Sequence, residues 1–373
     1  MRDQTADCPT DERPVPSRHR RTARRSRRGL RGLAVLAAPL VGALVVAGCS
    51  SGNGADTASG GHPTLTLYSG QHEQTTDALV AAFTRQTGIP VQVRNNSEAA
   101  LSQQIQQEGA ASPADVVYTE NSPPLMQLSA KKLLAPVDSA TLALIPSKYN
   151  APAGDWVGVS SRVSTLVYNT SKLTPSQLPT SVLELADPKW QGKLDLAPSE
   201  ADLQPVITSI EIHYGQNAAL NWLAGIKRNA GNHLEPDNEA VVSNVNRGLA
   251  AIGIVNHYYW YRLRAEVGAS GIHSAVQFLA PHDAGYVMNV SGAAVLKSST
   301  HQAEAQQLLA FLVSNAGQEI IAHSDSFEYP LAPGVPANPQ LPKFASLAPT
   351  ELSIAALGDG RAAIGLLQDA GLL

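Results

Sequence analysis

Hydrophobic positions along the chain switch between two periods, and most of the switches fall at glycines, prolines and small polar residues. Leu65-Thr66-Leu67-Tyr68 reads as a strand that runs out at Ser69-Gly70-Gln71-His72. Leu79, Val80 and Phe83 then recur at helical spacing, and Gly88-Ile89-Pro90 stops the helix. Val91-Gln92-Val93 predicts a short strand and Leu101 to Glu108 a polar-faced helix. Ala114 to Tyr118 predicts a further strand ending at Thr119-Glu120.

The second half repeats this logic. Trp156 to Val159 and Thr165 to Tyr168 predict two strands meeting at a polar Ser160-Ser161-Arg162 link. Lys193 to Leu196 predicts a strand running into Ala197-Pro198-Ser199-Glu200-Ala201. Val206 to Tyr214 and Ala218 to Ile226 predict helices. Asn238 is the expected N-cap of a helix over Glu239 to Arg247 that Gly248 closes. Gly292 to Lys297 predicts another strand, Gln302 to Ser314 and Gln318 to Ala322 are helical, and Pro330 to Pro342 is irregular. Arg361 to Ala370 closes the chain as a helix.

This alternation argues an α/β protein whose sheet is mainly parallel. In such sheets ligands sit beyond the carboxyl ends of strands, where His72 and Glu120 fall. A third candidate lies at Asn256-His257-Tyr258-Tyr259-Trp260-Tyr261-Arg262, directly after the apolar run Ala250 to Val255. Adjacent side chains on a continuing strand point to opposite faces, so Tyr258 and Tyr259 reach one site only if the chain leaves the strand there, in a polar, aromatic turn.

Composition narrows the classes. A chain of 373 residues is long for one core and suggests two domains. The net charge of -4 hides an asymmetry: residues 1–48 hold ten of the 27 basic residues, all arginine, and four of the 31 acidic ones. The remainder has 17 basic against 27 acidic residues, a balance of -10, which argues against a nucleic-acid partner or electrostatic attraction to an anionic surface. Arg18 to Arg31, the apolar Gly32 to Ala47, and Val46-Ala47-Gly48-Cys49 resemble the export signal and lipobox of bacterial lipoproteins. That resemblance implies cleavage of residues 1–48, lipidation of Cys49 and anchoring to the outer face of the cell membrane. Residues 49–62, nearly all small or polar, then read as a flexible tether. With Cys8 discarded, the mature chain has neither a disulfide nor a thiolate metal site.

Tyr68 to Glu73, Ser112 to Val116, Tyr118-Thr119-Glu120, Asn256 to Tyr261 and Ser291 to Ser298 together resemble, in the same order, the periplasmic ferric-ion-binding proteins of bacterial ABC importers. The resemblance implies a two-lobed periplasmic-binding-protein fold, acting as a monomer without enzymatic activity and delivering its cargo to a membrane permease. We expect lobe 1 over residues 63–163 with 288–335 and lobe 2 over 164–287 with 336–373. The hinge crossings would lie near Ser160 to Ser164 and Gly285 to Val290. His72, Glu120, Tyr258 and Tyr259 match the family's metal ligands. Ser199, Glu200, Ala201, Asn238 and Asn256 match its anion site, where phosphate or carbonate would complete the iron's coordination. Glu200 departs from the pattern, since phosphate-using relatives carry glycine there. Its carboxylate would either repel the anion or turn to solvent while its N–H still donates.

The donor chemistry supports a ferric ion independently. Carboxylate and phenolate oxygens are hard donors, and two phenolates with one carboxylate supply the three negative charges that neutralise ferric iron. Zinc sites favour Cys and His, and calcium sites several carboxylates and carbonyls. Two other classes stay open: a receptor of the same fold for a polyamine, phosphonate or sugar, and an extracytoplasmic hydrolase. The latter finds no His-Glu-x-x-His motif in the chain, and the one Gly-x-Ser-x-Gly run, Gly48 to Gly52, spans the lipobox rather than a strand-to-helix elbow.

Overall fold

The alternating pattern builds a nine-stranded mixed sheet flanked by helices, seen in a computed structural model that describes residues 62–373. The export signal, Cys49 and all of the tether but its last residue lie outside the described residues. The strands are β1 (Leu65–Gly70), β2 (Val91–Asn95), β3 (Val116–Thr119), β4 (Val157–Asn169), β5 (Leu194–Asp195), β6 (Ile252–Asn256), β7 (Ser274–Gln277), β8 (Met288–Val295) and β9 (Tyr329–Pro330). Their order is β2-β1-β3-β8-β4-β6-β5, with β7 and β9 each also pairing β4.

Strand β4 departs most from the expected pattern. Instead of two strands and a polar link, Val157–Asn169 is one strand of 13 residues, buried throughout. A pattern reading scores Ser160, Ser161 and Arg162 as loop because they are polar, but buried polar groups are tolerated where they find partners. Here Glu328, just ahead of β9, accepts from Ser160 Oγ and from the Arg162 guanidinium. Gln71 Nε2 adds a third bond to Glu328 at 3.2 Å.

The long strand also explains why the sheet is mixed rather than mainly parallel. Only β1–β2, β1–β3 and β5–β6 are parallel, whereas β4 runs antiparallel to β6, β7, β8 and β9, and β3 to β8. Partners change partway along β4. Val157 to Val163 pair with β8, and Ser164 to Asn169 with β6 or β7. The two stretches expected as crossings lie side by side, with Arg162 opposite Asn289, Val163 opposite Met288, and Ser164 N donating to Val287 O at 2.9 Å.

Several helices follow from local chemistry. Leu79 and Phe83 bury one face of the helix Glu73–Thr87, which Gly88 ends in the left-handed conformation (φ 77°), its N–H bonding Thr84 O. The helix Asn238–Arg247 is capped by Asp237, not Asn238: Asp237 Oδ1 accepts from Ala240 N at 2.7 Å. Both residues suit a cap, and the Asn238 amide is committed elsewhere. The expected strand over Lys193 to Leu196 shortens to Leu194–Asp195, and Leu196 makes an isolated parallel bridge to Leu234. Helix Ser122–Ala130 and strand β7 have no counterpart in the sequence reading.

Candidate metal centre

Strands β1 and β3 are parallel neighbours, so the residues just past their carboxyl ends meet. His72 flanks the helix after β1, Glu120 follows β3, and His72 Nε2 lies 3.2 Å from Glu120 Oε1. From the other part of the sheet, β6 ends at Asn256 and a helix begins at once with His257. The aromatic stretch is therefore the first turn of the helix His257–Gly271 rather than a turn between elements. Helical geometry sets consecutive side chains about 100° apart, which lets both tyrosines serve one side. Their ring centroids are 4.2 Å apart, and Tyr258 OH donates to Glu120 Oε1 at 2.7 Å. Tyr258 also meets His72 edge-on, at 5.1 Å between ring centroids.

Asp202 completes this cluster and was not singled out in the sequence, because an acidic residue entering a helix is ordinary dipole chemistry. It is buried. Its Oδ2 accepts from Asn238 Nδ2 at 3.0 Å and from Tyr258 OH at 3.4 Å, and its Oδ1 from Asn121 Nδ2 at 3.3 Å. Asn121 in turn is held by Glu98 and by Asn289, whose amide donates to Asn121 Oδ1 at 2.6 Å. Glu328 is a further carboxylate within 4.8 Å of the His72 and Glu120 donor atoms. Its bonds to Arg162, Ser160 and Gln71 occupy it as the partner of a buried arginine.

Burial and like charge tune these groups. Burial drives the His72 imidazole down to about 4, with Arg262 and Arg162 adding to the fall against Glu328, so it is neutral at pH 7. Its buried Nε2 makes no hydrogen bond despite facing Glu120. Burial, then Asp202 and Glu120, hold both tyrosine hydroxyls well above their usual range, so both are protonated at neutral pH. Asp202 is raised to about 6 by burial and Glu120. Glu200 rises to about 7 through burial and then Asp202, Glu120, Glu239 and Asp237. The centre thus carries a concentration of negative charge that favours a cation.

The expected anion residues are engaged in other ways. Ser199 is exposed and its Oγ bonds Pro236 O at 3.3 Å. Glu200 is half-buried, senses the acidic cluster, and uses its N–H in a turn to Ala197 O at 3.2 Å. Ala201 starts a 3-10 turn, Ala201–Leu203, ahead of the helix Gln204–Tyr214. Asn238 serves Asp202, and Asn256 is buried at the end of β6, paired there with Ser164.

Comparison with known proteins places the chain. Residues 111–349 match the family of bacterial extracellular solute-binding proteins. The Fe(3+)-binding periplasmic protein of Serratia marcescens is 36% identical over 309 residues, covering 83% of this chain and 90% of that one. The major ferric iron-binding protein of Neisseria meningitidis is 37% identical over 311 residues, 83% of this chain and 93% of that one. Among solved structures, iron-bound HitA from Pseudomonas aeruginosa superposes with a TM-score of 0.79 at 40% identity, covering 83% of this chain and 99% of that one. Trichodesmium IdiA (FutA), in complex with iron and citrate, gives 0.74 at 31% identity over 83% and 99%. With the fold, the order of its motifs and these matches in agreement, the chain belongs to the bacterial extracellular solute-binding proteins, among the periplasmic ferric-ion-binding proteins.

Proposed function

We propose that this protein is the extracytoplasmic solute-binding lipoprotein of an ABC importer, capturing ferric ion in a cleft between two lobes and handing it to a membrane permease. His72, Glu120, Tyr258 and Tyr259 are the proposed ligands. The observation that carries this reading is the meeting of the Tyr258 hydroxyl and the His72 imidazole on one Glu120 oxygen, at 2.7 and 3.2 Å. Donors from distant parts of the chain are already within coordination reach of a shared point. Two phenolates and a carboxylate balance the ion's charge, and a neutral imidazole supplies a fourth donor. The lobes divide as residues 63–163 with 288–335 and 164–287 with 336–373, and an ion bridging them favours the closed form through its differential affinity. Lipidation of Cys49 would keep the protein at the membrane beside its permease.

Titrating the iron-free protein with a chelated ferric salt tests this. A visible phenolate-to-iron absorption should grow to one ion per chain, and a colourless protein that takes up no iron would rule the reading out. The same titration should depend steeply on pH. Both phenols are protonated when iron-free, so binding releases two protons, and affinity should fall about a hundredfold for each pH unit lowered, after correction for the chelator. Below about pH 7 Glu200 and below about pH 6 Asp202 also gain protons in the iron-free protein. The ferric ion favours their ionised forms, so the slope should steepen there. A pH-independent affinity would show that the phenols do not bind as phenolates.

The acidic surroundings of Glu200 predict that phosphate or carbonate strengthens ferric binding little, by less than about threefold, because an anion held there would join Glu200 among Asp202, Glu120, Glu239 and Asp237. In Glu200→Gly the same anions should strengthen it by about tenfold or more, measured as the ratio of affinities with and without the anion.

A further inference from the structure

A second group of metal-binding side chains lies apart from these ligands, where β5 meets the segment ahead of the helix Asn238–Arg247. Asp195, His233 and Glu235 each offer one donor atom, and the three atoms lie within 4.8 Å of one another. We propose that they form a second metal site, for a divalent transition cation of the zinc class, bound by one imidazole nitrogen and two carboxylate oxygens.

The backbone sets these donors in place. Leu196 N donates to His233 O at 3.2 Å and Glu235 N to Leu196 O at 2.7 Å, which makes the parallel bridge between Leu196 and Leu234. One step back along that register Asp195 stands beside His233, and opposed residues of a parallel pair share a face. His233 and Glu235, two apart on the extended segment, share that face as well. Leu234 between them is left 39% exposed on the other side.

Asp195 supplies the observation that points to a ligand. Its carboxylate is fully buried, yet Oδ1 has no hydrogen-bond partner, while Oδ2 accepts from Asn244 Nδ2 at 3.2 Å. A buried carboxylate oxygen left without a partner is costly. A cation would satisfy it and draw on His233 and Glu235 at once. Two carboxylates and a neutral imidazole cancel the charge of a divalent ion, and a bound water would fill the fourth position of a tetrahedral zinc. Calcium, which takes six to eight oxygens, is poorly served by three donors that include an imidazole nitrogen. His233 and Glu235 are partly exposed, giving the ion a way in.

The test is to titrate zinc sulfate into the full chain with the ferric site first saturated, or silenced by Tyr258→Phe with Tyr259→Phe, following zinc by competition with a chromogenic chelator. One zinc per chain is expected, bound at least about tenfold more weakly in His233→Gln, Glu235→Gln and Asp195→Asn. Retained ferric colour, or an unchanged far-UV circular dichroism spectrum in the Tyr258→Phe, Tyr259→Phe background, shows that each variant has folded. Should Asp195→Asn fail to fold, the two partly exposed positions decide the matter. Excess calcium should leave zinc bound. Absence of zinc uptake, or uptake unchanged in His233→Gln and Glu235→Gln, would overturn the site, and displacement by calcium would overturn the assignment to the zinc class.

Discussion

Replacing Tyr258 and Tyr259 together by phenylalanine is expected to abolish the visible iron absorption and to weaken ferric binding by at least about a thousandfold, or about 4 kcal/mol. The size follows from chemistry, since two of four proposed protein donors and two of three compensating charges disappear while the rings remain. Stability should change far less. Tyr258 loses one bond to Glu120 and a longer one to Asp202, and Asp202 keeps its bonds from Asn238 and Asn121. Glu120 loses its hydrogen bond, but its side chain is 19% exposed and can turn to water, so removing the hydroxyl costs about 1 kcal/mol. The experiment therefore separates cargo chemistries. A receptor that stacks an organic solute on these rings would bind the phenylalanine protein about as well as the parent, because the stacking faces survive. A ferric receptor would not. Unaltered iron affinity in the double variant would remove Tyr258 and Tyr259 from the ligand set.

How much of this was legible in the sequence depends on the kind of signal each residue carries. His72 and Glu120 could be placed because strand ends are marked by period and punctuation, and parallel neighbours bring such ends together. The tyrosine pair could be placed on one side of the chain but not on its element. A run of aromatics has no helical period of its own, and the helix starts without a side-chain cap at Asn256. Asp202, Asn121 and Glu328 left no trace, since their roles exist only through partners 23 to 257 positions away in the chain. The same holds for β4. Its polar centre reads as a break until Glu328, from far along the chain, is seen to satisfy it. Glu200 is the instructive middle case: the sequence flagged it as a departure, but the burial and acidic neighbours that raise its carboxyl come from distant parts of the chain.

The Arg162–Glu328 pair is where stability should be most sensitive to a single side chain. Arg162 is fully buried in β4 at the point where that strand changes partners, and Glu328 is 1% exposed beside it. Burial alone would lower the arginine's proton affinity, but the carboxylates of Glu328 and Glu120 more than reverse this, so the guanidinium remains charged. Arg162→Met leaves Glu328 buried with only the hydroxyl of Ser160 and the amide of Gln71 as partners, and should cost about 3–5 kcal/mol in urea unfolding. Glu328→Gln should cost a similar amount by stranding the arginine, whose Nε and Nη1 already lack hydrogen bonds. The two changes together should cost less than the sum of the singles, because the second removes the charge that the first left unpaired. Additive losses would mean that the pair contributes packing rather than charge compensation. Arg162 also lies 4.0 Å from Glu120 Oε1 and beside the Tyr258 ring, at 5.8 Å from its centroid. Any Arg162→Met protein that folds should therefore bind ferric ion at least as tightly as the parent, since a positive charge beside the cation has been taken away while His72, Glu120 and both tyrosines are left in place.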